Sequence, residues 1–184
     1  MTRPSRIRVS AFALAAVIAA ALVAAYWWWS PLVVLHQMQR AAARGDADTI
    51  SRHVDYEALR ESFKGQFAGA MQAKIGAPSD NPFSALGSAL GMSFVNVLID
   101  TMVRPQTLAS AMQTGRVKPG ASPATAQDDA QQTVWDMDRE GADRVVFRPH
   151  KQGDPADPKA SAFVFVRHGF ADWRLTDIRL QLDR

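Results

Sequence analysis

The stretch AFVFVRHGFADWRLTDIRLQL, residues 162–182, decides the fold. Ala162 to Val166 is a run of aromatic and β-branched residues that favours a strand. Arg167-His168-Gly169-Phe170-Ala171-Asp172 reads as a hairpin connection, and Trp173 to Leu182 as the returning strand. Upstream, Lys151 to Lys159 holds Gly153, Pro155 and Pro158 and predicts a turn. Val145-Val146-Phe147-Arg148 is the strand before it. The Glu140-Gly141-Ala142-Asp143 turn separates that strand from Thr133–Asp138, which alternates with Trp135 and Met137 on one face. Four strands with short connections imply an antiparallel meander.

Before the strands the hydrophobic period changes to that of helices. Thr114 to Ala130 is rich in Pro, Gly, Ala, Ser and Asp and reads as a linker loop. Phe83 to Val103 carries no charge as far as Ile99, and Asn81-Pro82 is a good cap and first helical position. Ser84, Ser88, Ser93 and Asn96 interrupt its apolar character. We therefore expect a buried central helix there rather than a second membrane span, with a short helix restarting at Pro105. Tyr56 to about Ile75 has Tyr56, Leu59, Phe63, Phe67, Ala70 and Met71 on one face, with Asp55 as its cap. A short helix from Ile50 to Val54, capped by Asp46 or Asp48, precedes it. Pro31 to Arg44 is apolar at Leu32, Leu35, Met38 and Ala42, and Gly45 is placed to end that helix. Helices first and strands after give an α+β class, a helical layer on a four-stranded antiparallel sheet.

Val9 to Trp29 has no charged residue. About 20 apolar residues suffice to cross a hydrocarbon layer of about 30 Å. Tyr26-Trp27-Trp28-Trp29 closes the run with rings that prefer the membrane–water boundary. Ser30-Pro31 then suggests a break and a new helix start. Val23-Ala24-Ala25 would suit signal cleavage, but the apolar run exceeds the roughly 7–15 residues of a signal h-region. Arg3, Arg6 and Arg8 lie before the run, and the next basic residue is Arg40. The positive-inside bias puts the N-terminus in the cytoplasm of a bacterial inner membrane and the rest outside it, in the periplasmic or extracytoplasmic space. The expected division is a basic tail and anchor over 1–30 and one domain over 31–184. Within the domain, 31–113 is helical, 114–130 is the linker and 131–184 is the sheet.

Lys plus Arg number 21 and Asp plus Glu 18; setting aside Arg3, Arg6 and Arg8 leaves 18 of each sign. The basicity belongs to the tail, which argues against nucleic acid as a partner. There is no cysteine, so disulfides, thiolate metal sites and cysteine nucleophiles are excluded.

Two stretches carry a family resemblance. One runs from Ser30-Pro31 into Val54-Asp55-Tyr56-Glu57-Ala58-Leu59-Arg60-Glu61-Ser62-Phe63-Lys64-Gly65-Gln66. The other is Arg167-His168-Gly169-Phe170 followed by Trp173-Arg174-Leu175-Thr176-Asp177-Ile178-Arg179-Leu180. Together they resemble the bacterial membrane-anchored family catalogued as domain of unknown function 2939. Phe63 and Gly65 depart from the more polar run expected between Ser62 and Gln66. The resemblance implies an architecture and a membrane location, and no activity. The order of helices and sheet is also similar to the cone-shaped folds of nuclear transport factor 2, although no first strand stands between the early helices.

Candidate chemistry is sparse. His36, His53, His150 and His168 show no metal-ligand spacing, and Asp46, Asp48, Asp154 and Asp157 lack a calcium-loop pattern. No metal or cofactor is expected, and no catalytic set is legible. Asp55, Arg60, Ser62 and Lys64 form the most distinctive polar cluster. Arg60 and Lys64 are candidate contacts for an anionic ligand or lipid headgroup; against this, Asp55 suits a cap and the two cations can pair with Glu57 and Glu61. The expectation is a membrane-anchored extracytoplasmic domain that binds an envelope protein partner or a small ligand. The alternative is an envelope hydrolase or isomerase whose site assembles only in three dimensions.

Overall fold

The computed structural model describes residues 5–75, 93–118, 133–154 and 161–180. Among the described residues, five helices and four strands follow in chain order: α1 (Ser5–Arg44), α2 (Ala47–Arg52), α3 (Tyr56–Ile75), α4 (Ser93–Met102), α5 (Pro105–Thr114), then β1 (Thr133–Arg139), β2 (Arg144–Lys151), β3 (Ala162–Arg167) and β4 (Trp173–Arg179). The sheet is antiparallel in the order β1-β2-β3-β4. The class is α+β, as the change of hydrophobic period requires. The residues expected at Asn81-Pro82 and Phe83–Met92, and most of the 114–130 and 151–159 loops, lie outside the described residues.

Helix α1 runs through Pro31 without a break, which corrects the expected restart there. At 1.5 Å per residue its 40 residues extend about 60 Å. Side chains from Phe12 to Tyr26 are exposed, and this half is the one helix among the described residues long and apolar enough to cross a membrane. Beyond it, Ser30, Pro31, Val34, Leu35, Met38, Ala41 and Ala42 are buried at helical spacing. One helix thus has two surroundings: its first half is apolar and exposed, a candidate membrane span, and one face of its second half enters the protein core.

The end of α1 is set by Gly45 at φ 67°, and Asp46 caps α2 by accepting from the Thr49 N–H at 3.0 Å. The buried Gln113 of α5 donates to the Ala42 carbonyl at 2.8 Å, satisfying an acceptor in the last turn of α1. Leu35, Met38, Leu59, Phe63, Leu108 and Met112 from the helices meet Phe147, Phe163, Phe165, Trp173, Leu175 and Ile178 from the sheet in one core. Phe147 and Phe165 pack edge to face at 5.5 Å, and Trp135 and Phe163 at 4.9 Å. On the sheet's other face Val146, Ala162 and Val164 are buried. The same face carries the pairs Arg148–Asp138 and Arg144–Glu140.

Helix α4 lies within the stretch expected to be a buried central helix. Val95, Ile99 and Met102 are buried, but Phe94 and Val97 are 69% and 65% exposed. The helix is amphipathic, and its outward face is partly apolar.

Strand β4 is an edge strand, and its free edge is covered. Leu175 N–H donates to His53 O at 2.8 Å and Leu175 O accepts from Asp55 N–H at 3.0 Å, a single parallel bridge through Val54. The register with β3 then slips, so that Thr176 is extra: Phe165 faces Leu175, but Val164 faces Asp177. A bulge of this kind reverses which edge each following residue offers. Ile178 O and Leu180 N–H consequently face the same side as Leu175, where the Gln66 side chain receives both, at 3.0 and 2.7 Å. The Gln66 amide thus occupies the place of a strand residue.

Gly115 ends α5 in the left-handed region, at φ 69°, and a Cβ there would lie 2.2 Å from the Pro149 Cβ. Gly45 shares the φ but has nothing within 4 Å. Gly115→Ala should therefore cost about 2–4 kcal/mol, and Gly45→Ala only about 1 kcal/mol. Urea unfolding of the full chain in detergent reads both; equal losses would show that the approach to Pro149 is not tight.

Candidate functional site

The candidate residues of α3 divide by role. Asp55 accepts from the Ala58 N–H at 3.0 Å and so caps α3. Lys64 pairs with Glu61 at 2.8 Å, and Arg60 pairs across to Asp100 of α4 at 3.4 Å rather than with its own helix. These pairs are largely in solvent, where such bridges contribute little. Ser62 turns inward instead and donates to Asp177, which also accepts from Gln66 at 3.2 Å. The structure therefore separates Asp55 and Ser62, which fasten α3, from Arg60 and Lys64, whose pairs lie largely in solvent.

The histidines do not converge. The His36 Nδ1 lies 2.8 Å from its own helix's Leu32 carbonyl, and the His150 Nδ1 is 3.6 Å from Asp136. No group of three metal-ligating side chains occurs among the described residues. His53 is half-buried; burial lowers its pKa below the ordinary 6.5, partly opposed by a bond with the Trp173 backbone.

The densest polar arrangement lies where α1 leaves its apolar run. Pro31 has no N–H, so the carbonyl four residues back, on Trp27, loses its helical donor. The Ser30 hydroxyl supplies one, donating to Trp27 O at 2.8 Å. The same hydroxyl accepts from Trp173 Nε1 at 2.8 Å, and Trp173 is completely buried. Around this relay stand two strand-end arginines. The Arg167 guanidinium lies 4.0 Å from the Trp27 ring centre and 4.3 Å from that of Trp173. It also donates to the Phe170 and Ala142 carbonyls at 2.6 and 3.1 Å and pairs with Asp143 at 3.2 Å. Arg139 lies 4.2 Å from the Trp28 ring centre and donates to the Trp28 carbonyl. Burial lowers the pKa of both guanidiniums, and Asp143 counters this at Arg167. Both rings and carbonyls favour the charged form.

Sequence reasoning placed the tryptophans at a membrane boundary but did not connect Arg139 and Arg167 to them. The available signal was two arginines, each at the last position of a strand before a tight turn. Gln66 and Asp177 stood inside the family pattern without an assigned task, which the covered edge of β4 now supplies.

A family model described as "Protein of unknown function (DUF2939)" matches residues 20–111, half of the chain, and the chain belongs to that family. No curated protein and no solved structure matches it.

The Ser30 relay makes a coupled prediction. Ser30→Ala leaves both the Trp27 carbonyl and the Trp173 N–H without partners and should cost about 1–3 kcal/mol. Trp173→Phe in the Ser30→Ala background should cost clearly less than in the parent chain. Strictly additive losses in a double-mutant cycle would show that the two side chains do not act together.

His53 supplies a pH test. Its folded pKa lies below its unfolded value, so its contribution is complete above about pH 6.5 and is lost as pH falls through the folded value. The unfolding midpoint should drop over that acid range, and His53→Gln should flatten the drop. An unchanged slope would assign the acid sensitivity elsewhere.

Proposed function

We propose that this member of the DUF2939 family is a non-enzymatic, single-pass binding module of the bacterial inner membrane. Its N-terminus lies in the cytoplasm and its domain, residues 31–184, lies on the periplasmic side, where it holds an envelope protein partner. Residues 1–30 form the basic tail and anchor. The observation that carries the reading is the continuity of α1: the apolar run enters the core with no intervening linker, so the domain is held at a fixed height over the bilayer. The three arginines before the run support the orientation.

A protein partner suits the domain better than an enclosed small ligand. Between the layers the space is filled by fully buried Phe63, Phe147, Phe163, Phe165 and Trp173. Outside the membrane helix, Phe94 and Val97 of α4 rank among the most exposed large apolar side chains described. Arg60 reaches α4 at Asp100, so α3 sets Arg60 beside this apolar strip. An apolar centre with a charged rim is the usual anatomy of a protein interface.

Reporters active only outside the cytoplasm, fused after Ile75 and after Arg184, should both give signal. Signal after Ile75 alone would mean a second crossing between them and would end the single-pass reading. A photo-crosslinking residue at Val97, in the native host, should give one discrete heavier product that weakens several-fold with Arg60→Glu. The same residue at Gln152 should give none. Identical products at both positions would remove α4 as the partner surface.

A further inference from the structure

The antiparallel meander puts the β1–β2 turn, Glu140–Asp143, and the β3–β4 turn, His168–Asp172, at the same end of the sheet. That end is the one seated on α1. Trp173, the first residue of β4, bonds Ser30, and Arg139 and Arg167, the last residues of β1 and β3, lie over Trp28 and Trp27. A single guanidinium, that of Arg167, touches the Trp27 ring and holds one carbonyl from each turn, Ala142 O and Phe170 O. Both turns are therefore fixed at the level of the tryptophan belt, within the width of a side chain.

The β3–β4 turn presents Phe170, which is 60% exposed and has exposed His168 and Gly169 beside it. In water an outward phenylalanine on a tight turn gains nothing; at the boundary of a bilayer it gains an apolar phase. The acidic groups at this end are neutralised in place. Asp143 pairs with Arg167, Glu140 with Arg144, and Asp172 with Arg174. The turn can thus approach lipid headgroups without unpaired carboxylates.

We propose that the β3–β4 turn is a second membrane contact, a foot that inserts Phe170 into the interfacial layer beside the point where α1 emerges. The occupant is the bilayer in which the helix is anchored. The foot and the helix give the domain two points of attachment, which fixes its tilt as well as its height. The inference rests on the single-span reading of α1.

The chain contains no cysteine, so single cysteines report cleanly. Full chains carrying Phe170→Cys, Ala171→Cys, Gln152→Cys or Ile18→Cys would be labelled with an environment-sensitive fluorophore. Each would be reconstituted in phosphatidylcholine–phosphatidylglycerol vesicles, with thermal unfolding compared with the parent. Gln152 lies in the turn after β2, at the sheet's opposite end, and Ile18 lies within the apolar run. Positions 170 and 171 should show blue-shifted emission, quenching by lipid-attached nitroxide, and iodide quenching several-fold weaker than at position 152. Emission and quenching at 170 and 171 equal to those at 152, with position 18 shielded from iodide, would overturn the foot alone. Iodide access at position 18 would overturn the span and the foot together.

Discussion

The hydroxyl of Ser30 is the point on which the apolar helical run and the folded half of this chain depend. Pro31 removes the N–H that Trp27 O needs, at the level where the helix leaves its apolar run. An unpaired carbonyl there is costly, because little water reaches it to compensate. Ser30 repairs the loss from one residue away and, with its remaining lone pair, accepts the indole N–H of Trp173. The largest side chain of the sheet's first helix-facing position is thereby tied to the proline defect. A proline that would ordinarily end a helix becomes the site where the sheet is fastened.

The same economy explains why the family pattern contains the polar residues it does. Ser62 belongs to the polar cluster that stands out in the sequence, whereas Gln66 and Asp177 stand 111 residues apart in the two stretches that carry the family resemblance. In the structure Ser62 and Gln66 converge on Asp177, and Gln66 also completes the backbone of β4 beyond the bulge. An uncovered edge strand invites pairing with other chains; Val54 and Gln66 close this one with one bridge and one amide. Trp173 and Ser30 are likewise engaged. Arg60 and Lys64 differ, since their pairs lie in solvent.

Much of the fold was legible because its signals are local. The caps at Asp46 and Asp55, the glycine at 45, the proline opening α5 and the alternation of β1 each depend on a few adjacent residues. What was not legible depends on distance along the chain. Continuity through Pro31 required knowing that a serine hydroxyl and an indole 143 residues away would stabilise it. The slip at Thr176 shows in the burial of β4, where Trp173 and Leu175 are followed inward by Ile178, but Asp177 and Ile178 fit either register on paper. The outward face of α4 was misjudged because an uncharged run reads as buried, whereas Phe94 and Val97 are apolar and exposed. The candidate cluster around Asp55 was found as a set, but which members bond inward is a matter of rotation about α3 that composition does not specify.

A fixed attachment also constrains what kind of work the domain does. A module on a flexible linker searches a volume, and its partner encounters depend on the linker's length and stiffness. Here α1 passes from its exposed apolar run to the core as one helix, and Arg139 and Arg167 brace the sheet against the same turn of it. On the proposed anchoring, little orientational freedom would remain to be lost when a neighbour in the same bilayer docks, which lowers the entropic cost of association. The accessible cations of α3 and the apolar strip of α4 are then presented at one height and one angle. On the proposed binding role, that geometry favours a partner that is itself held at the membrane over one that diffuses freely.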